Sequence, residues 1–348
     1  MTSPALPLFD AFPALAGRLP HVPLGTFPTP FTPLRLPGLP DVQLKRDDLS
    51  GLVYGSNKVR KLEFLLGEAR AAGASEVYTI GFAGSNHALA TAIYARQLGL
   101  RCTSLLMPQH PHPTVRTHLL AALGIGATLQ PVCCWTLALW DARMARRAYR
   151  IPPGGTSPLG VVAYVNAAFE LAAQVHAGLL PAPDLLYVPF ASMGTAAGLS
   201  IGLAACGLPT RIVAVRVIGR LLQPPSGLGR LLRGSLAYLR ECDPSFPAPA
   251  RLGENLEVRD NFLGRGYAIP SGEGREALAL VCEACGVILS ETYSAKAMAA
   301  LLADARAGKL RGRNVLYWNT YNNRDLGPLV ARANPDDLPR AFRRYPGA

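Results

Sequence analysis

Lysine is scarce in this chain. Of 35 basic residues only Lys45, Lys58, Lys61, Lys296 and Lys309 are lysines, so chemistry that needs a primary amine has few candidates. Charged residues make up only 17% of the sequence and hydrophobic ones 49%, a balance that excludes a disordered chain and suits a well-buried globular protein. The N-terminal stretch MTSPALPLFDAFPALAGRLP has no basic segment leading into an unbroken apolar run, so it does not read as a signal peptide. No later stretch reads as a membrane span. There is no G-x-G-x-x-G and no P-loop lysine, which sets aside dinucleotide and ATP cradles. Seven cysteines, an odd number, read as reduced thiols of a cytoplasmic protein. Cys282 and Cys285 read as packing residues of an apolar helix, and His110, His112 and His118 as surface histidines, so no metal is expected. The net charge of +12 comes without basic runs interleaved with aromatics, which favours a solvated arginine-rich surface over a nucleic-acid track.

What is present is alternation. Strands are expected at 76–82, 101–107, 127–132, 185–190, 212–218, 287–290 and 314–318. Helices are expected at 85–98, 114–123, 135–149, 159–177, 195–206, 271–285 and 295–307. Regular β-α-β order predicts an α/β protein of parallel-rich open sheets flanked by helices, and 348 residues suit two domains. The Pro/Gly-rich segments 151–158 and 242–249 read as linkers or surface loops.

Ligands of such sheets sit where strands end and helices begin. Three of these turns carry unusual residues. In Gly55-Ser56-Asn57-Lys58-Val59-Arg60-Lys61, Lys58 falls in the first turn of a capped helix with Lys61 on the same face. A neighbouring cation and a helix N-terminus favour the free amine that a Schiff base needs, although spacing alone favours a capped surface helix with solvated lysines. Gly81-Phe82-Ala83-Gly84-Ser85-Asn86-His87 is either a carboxylate cradle or an ordinary N-cap. Ala191-Ser192-Met193-Gly194-Thr195 is either a phosphate cradle or close helix–strand packing. An imine-forming lysine, a carboxylate cradle and a phosphate cradle together describe pyridoxal phosphate with an amino acid.

At this point the sequence resembles the family containing D-cysteine desulfhydrase and 1-aminocyclopropane-1-carboxylate deaminase, within the tryptophan synthase β-like fold of pyridoxal-phosphate enzymes (fold type II). The resemblance rests on Leu44-Lys45-Arg46-Asp47-Asp48-Leu49, the Lys58 turn, Ser85-Asn86-His87 and the 191–195 loop. It continues through Gly266-Tyr267-Ala268-Ile269-Pro270 and Leu289-Ser290-Glu291-Thr292-Tyr293-Ser294-Ala295-Lys296. It implies that Lys58 holds the cofactor and then acts as base, with Ser85, Tyr267 and Tyr293 also catalytic. Asn86 would contact the pyridoxal 3-oxygen, and Ser192, Met193, Gly194 and Thr195 the phosphate. Ser294 would face the pyridine nitrogen, with Thr320 also on the cofactor. Ser85, Asn86, His87, Thr156 and Tyr293 would bind the substrate. A large cofactor domain of residues 1–60 and 168–348, a small mobile domain of residues 61–167 and a homodimer are implied as well.

Within that family, Ser294 stands where deaminases carry Glu, and Thr320 matches the desulfhydrases; both favour β-elimination from a small amino acid, giving pyruvate, ammonia and the leaving group. Asn319-Thr320-Tyr321-Asn322 replaces the family's His-Thr-Gly-Gly, Gly55-Ser56 its Gly-Gly, and Met193 a small residue. The segment 109–118 lacks the family's Gly-Asn pair. These departures point to a larger or non-standard amino acid. The alternatives are the deaminase, β-replacement, racemase or cyclase outcomes of the same cofactor, and a non-catalytic binding protein.

Overall fold

The computed structural model describes residues 6–36, 39–220, 223 and 225–347, so the first five residues of the N-terminal stretch lie outside it. The chain opens with α1 (Pro7–Ala11), α2 (Pro13–Ala16), β1 (Phe31–Leu34), β2 (Val42–Arg46) and α3 (Asn57–Ala71). Next come β3 (Glu76–Phe82), α4 (Asn86–Gln97), β4 (Arg101–Met107), α5 (Pro113–Gly124), β5 (Thr128–Pro131), α6 (Cys134–Ala145) and β6 (Tyr149–Ile151). Then follow α7 (Pro158–His176), β7 (Leu185–Phe190), α8 (Gly194–Ala205), β8 (Arg211–Arg216), α9 (Pro225–Cys242) and β9 (Leu256–Arg259). The last elements are α10 (Gly272–Cys285), α11 (Ser294–Arg306), β10 (Val315–Asn319) and α12 (Gly327–Val330).

Two sheets result. One has the order β1-β2-β10-β7-β8-β9, the other β5-β4-β3-β6. Every pairing is parallel except β1 with β2. The six-stranded sheet packs α10 and α11 on one face, through residues such as Val281, Met298 and Leu301, and α7 and α8 on the other. The smaller sheet carries α6 on the face of Tyr78 and Ile80. Parallel strands buried on both faces are what near-continuous apolar runs such as 185–190 require. The α/β class with parallel-rich sheets holds.

Several expectations change. Residues 287–290 form no strand, because the Ile288 and Ser290 amides bond instead to the side chains of Asn323 and Ser294. The helix expected to run to 149 ends at Ala145, and Tyr149–Ile151 pairs with β3. Helix α9 is legible only once its arginines are placed outward around buried Leu232 and Leu239. Helix α7 is long and apolar enough to cross a membrane, contrary to the sequence reading, but it is 78% buried among its neighbours and serves as a core helix.

A charged cluster lies inside this core. Lys45 Nζ donates to Glu170 Oε1 and to Gln174 Oε1, each at 2.6 Å, and to the Thr29 carbonyl at 2.5 Å. Arg60 donates to Asp47 at 2.9 Å and to Glu170 at 2.8 Å, while Trp318 Nε1 and the Tyr164 hydroxyl donate to Asp47 at 2.8 and 2.5 Å. Two cations and two carboxylates, all essentially buried, tie β2, α3, α7 and β10 together. Burial alone would raise the Glu170 carboxyl, but Arg60 and Lys45 outweigh it and hold the group at about 2. Removing one partner of such a cluster strands the others. Glu170→Ala is therefore expected to lower stability by about 3–5 kcal/mol in denaturant unfolding. The stabilisation from Glu170 is complete above its unfolded value of about 4.3 and is lost as pH falls through the folded value. Glu170→Gln should flatten the acid side of the stability curve accordingly.

Candidate active site

The C-terminal ends of β3, β7 and β10 converge on one cavity of about 610 Å³. Its wall includes Lys58, Ser85, Asn86, His87, Ser192, Met193, Thr195, Tyr267, Tyr293 and Thr320, so ten of the sequence-selected residues are brought together. Thr156, Gly194 and Ser294 do not line it. Thr156 lies just behind the 191–195 loop, against its Gly194, whereas Ser294 is fully buried with its hydroxyl accepting from the Ser290 amide.

The Lys58 turn is held from three sides. The Ser56 hydroxyl caps α3 by accepting from the Lys58 amide at 3.1 Å. Asn57 Nδ2 donates to Thr195 Oγ1 at 3.1 Å, and the Gly55 amide to Asn322 Oδ1 at 2.8 Å. Gly55 is obligatory, since a Cβ there would lie 1.8 Å from the Asp48 carbonyl oxygen. The Lys58 amine is lowered to about 8 by burial. The sequence reading assigned that effect to Lys61; instead Lys61 is the fully buried one, driven well down by burial and then by Lys58. The solvated-helix reading is thereby excluded.

Ser85 caps α4 through the Ala88 amide at 3.2 Å and still faces the cavity. Asn86 Oδ1 accepts from the Tyr54 hydroxyl at 3.2 Å, which turns its amide nitrogen free for another acceptor. His118, expected at the surface, is buried and donates from Nδ1 to the Gly84 carbonyl at 3.2 Å; burial lowers it to about 4, so it stays neutral. His112 is likewise engaged, 2.6 Å from Glu291. The Tyr267 and Tyr293 hydroxyls bond to one another, and the Tyr267 ring lies 4.9 Å from that of Phe82 across the cavity. Burial raises Tyr267 to about 12 and also raises Tyr293 well above its ordinary value, so both remain protonated at neutral pH.

Unsatisfied atoms stand in the cavity wall and beside it. Thr156 Oγ1, His87 Nδ1 and Asn319 Nδ2 are buried without a partner, a costly state unless a ligand completes them. His87 Nε2 faces the Pro152 carbonyl at 3.0 Å and must carry the proton, leaving Nδ1 an acceptor. Helix α8 begins without a side-chain cap, and Met193 holds a left-handed φ of 69° that closes a tight turn in which the Gly194 amide donates to the Ser192 carbonyl at 2.9 Å. Lys61 Nζ, bonded to the Gly154 carbonyl at 3.1 Å, stands so close to this loop that a Cβ on Gly194 would lie 2.8 Å from it. Helix amides, a hydroxyl and a buried amine together fit a phosphate, and Lys58 fits an aldehyde, so pyridoxal phosphate suits the site. Lys61 was singled out in the sequence only as a neighbour of Lys58. Its approach to the 191–195 loop exists only in three dimensions.

Lys58→Ala is expected to abolish the borohydride-reducible cofactor adduct and the near-visible absorption band. Lys61→Ala should keep that adduct while weakening uptake of pyridoxal phosphate by about 1.5–3 kcal/mol, the size of one charge-assisted hydrogen bond, in calorimetric titration of the apoprotein.

The comparisons with known proteins point to the same cofactor. The family model described as pyridoxal-phosphate dependent enzyme matches residues 22–320. Nocardicin C-9' epimerase of Nocardia uniformis subsp. tsuyamanensis is 39% identical over 334 residues, taking in 92% of this chain and 98% of the relative. D-cysteine desulfhydrase of Salmonella paratyphi A is 33% identical over 307 residues, 82% of this chain and 88% of that protein. A crystal structure titled as an ACC deaminase homologue superposes with a TM-score of 0.77 at 30% identity, covering 95% of this chain and all of the other. The chain belongs to the pyridoxal-phosphate-dependent enzymes, in the group of 1-aminocyclopropane-1-carboxylate deaminase and D-cysteine desulfhydrase.

Proposed function

We propose that this enzyme removes and returns the α-proton of an amino acid, changing the configuration at that carbon. The observation that carries the reading is the pairing, in one cavity, of an amine base lowered to about 8 with a separate hydroxyl donor pair, Tyr267 and Tyr293. Inversion needs one group that takes the proton and another that supplies it. The 39% identity to an epimerase supports the same outcome. When bound, pyridoxal phosphate supplies the electron-withdrawing ring that makes the α-proton acidic. Lys58 accepts that proton on Nζ. Ser85 and the Asn86 amide hold the polar groups of the ligands beside it, and Tyr293, oriented by Tyr267, donates a proton. The two sheets support a division of labour in which residues 1–60 and 168–348 carry the cofactor and residues 61–167 form a smaller unit against the substrate.

β-Elimination is the second reading, favoured by Thr320 and by the similarity to D-cysteine desulfhydrase. There Lys58 takes the same proton and the β-substituent departs with its electron pair. Incubation of single enantiomers in heavy water separates the two. Epimerisation gives α-deuterated amino acid of both configurations by chiral chromatography, with no pyruvate. Pyruvate and hydrogen sulfide from D-cysteine without inversion would replace it by elimination. Tyr293→Phe is expected to slow inversion by about 10²–10⁴ while deuterium wash-in with retention continues.

A further inference from the structure

The cavity does not stop at the reacting end. Helix α6 contributes Cys134, Leu137, Ala138 and Asp141 to its wall, the i, i+3, i+4, i+7 spacing of a single helical stripe. The same helix anchors Met144 in a small cluster with Tyr78 and Ile80 of β3, so the stripe is held at a fixed height above the sheet. Arg150 of β6 also lines the cavity. The strand register pairs it with Tyr78, three residues upstream of Gly81, where β3 approaches the Ser85 turn. At about 3.3 Å per residue that places the Arg150 end roughly 10 Å back along the sheet from the Ser85 end. Between them the walls are apolar, with Ile80, Leu137 and Ala138, and Met107 lies beside Phe82 at the Ser85 end.

The far end is polar and oriented. Asp141 accepts from the Tyr78 hydroxyl at 2.7 Å through one oxygen and faces Arg150 Nη2 at 3.1 Å through the other. Both carboxylate oxygens are therefore engaged. Arg150 contacts no other carboxylate among the described residues, and its remaining fork of N–H donors is available to an acceptor.

We propose that this arm is the side-chain subsite, and that it selects amino acids with an extended apolar side chain ending in an anionic, hydrogen-bond-accepting group. Leu137 and Ala138 set the width, Arg150 receives the end group, and Asp141 positions Arg150. The proposal rests on the α-carbon chemistry above only in taking the Lys58 end as the reacting end.

The holoenzyme is titrated calorimetrically with alanine, 2-aminooctanoate and 2-aminosuberate, and α-deuterium exchange is followed on the same three. The expected ladder is 2-aminooctanoate at least about tenfold tighter than alanine, the worth of one methylene in an apolar pocket, with 2-aminosuberate tighter again. Arg150→Gln should erase the advantage of 2-aminosuberate over 2-aminooctanoate. Ala138→Trp should bring both long ligands towards alanine, lowering the long-to-short ratio at least about tenfold. Equal affinities, no binding of any of the three, or an Ala138→Trp effect as large on alanine as on the long ligands would overturn the arm. A binding ladder without exchange would leave the arm standing and remove the α-carbon chemistry. Exchange without a ladder would do the reverse.

Discussion

The buried cluster of Lys45, Asp47, Arg60 and Glu170 is the constraint on which the site depends. Arg60 stands two residues after Lys58, and its carboxylate partners come from the turn after β2 and from α7. Helix α3 can therefore start in only one place relative to β2, α7 and β10. An apolar core would also have filled this volume. Charged groups add direction, because each must meet its partner at hydrogen-bond distance or carry the cost of an unpaired buried charge. The position of Lys58 follows from that demand.

From there the tension moves outwards. The charged cluster is satisfied, whereas the surroundings of the cavity are not: Thr156, His87 and Asn319 keep buried polar atoms without partners, and Lys61 is an amine held far below its usual range by burial. Such a site is expensive for the free protein and complete with an anionic cofactor. Met193 adds a left-handed backbone at the same loop. Strain, unpaired polar atoms and a lowered amine coincide at one place, where three parallel strands end. The opposite walls differ in kind. The large-sheet side presents helix amides and hydroxyls for a phosphate, while the α6 side is apolar with an ion pair at its limit.

Much of the architecture was legible in the sequence, because parallel strands buried on both faces read as apolar runs and the turns after them as clusters of Gly, Ser and Asn. The parts that were not legible share a cause. Strand β2 hides behind Lys45 and Arg46, whose charges are satisfied by Glu170 of α7 and by the neighbouring Asp48. Strand β6 is three residues long and follows a helix without a turn signal. Residues 287–290 have strand composition, but nearby side chains of Ser294 and Asn323 take their amides first. His118 carries no mark of the Gly84 carbonyl that it supports.

By itself the sequence determined the α/β class and the three turns that hold Lys58, Ser85-Asn86 and the 191–195 loop, since each depends on local chemistry: periodicity, capping and small residues. Only the tertiary structure decided that burial lowers both Lys58 and Lys61 and that Lys61 stands beside the 191–195 loop. It also decided that Ser294 stands behind the wall and that α6 and Arg150 extend the cavity. Those facts depend on desolvation and on distances between residues up to some hundred positions apart, and neither quantity is written in the order of the residues.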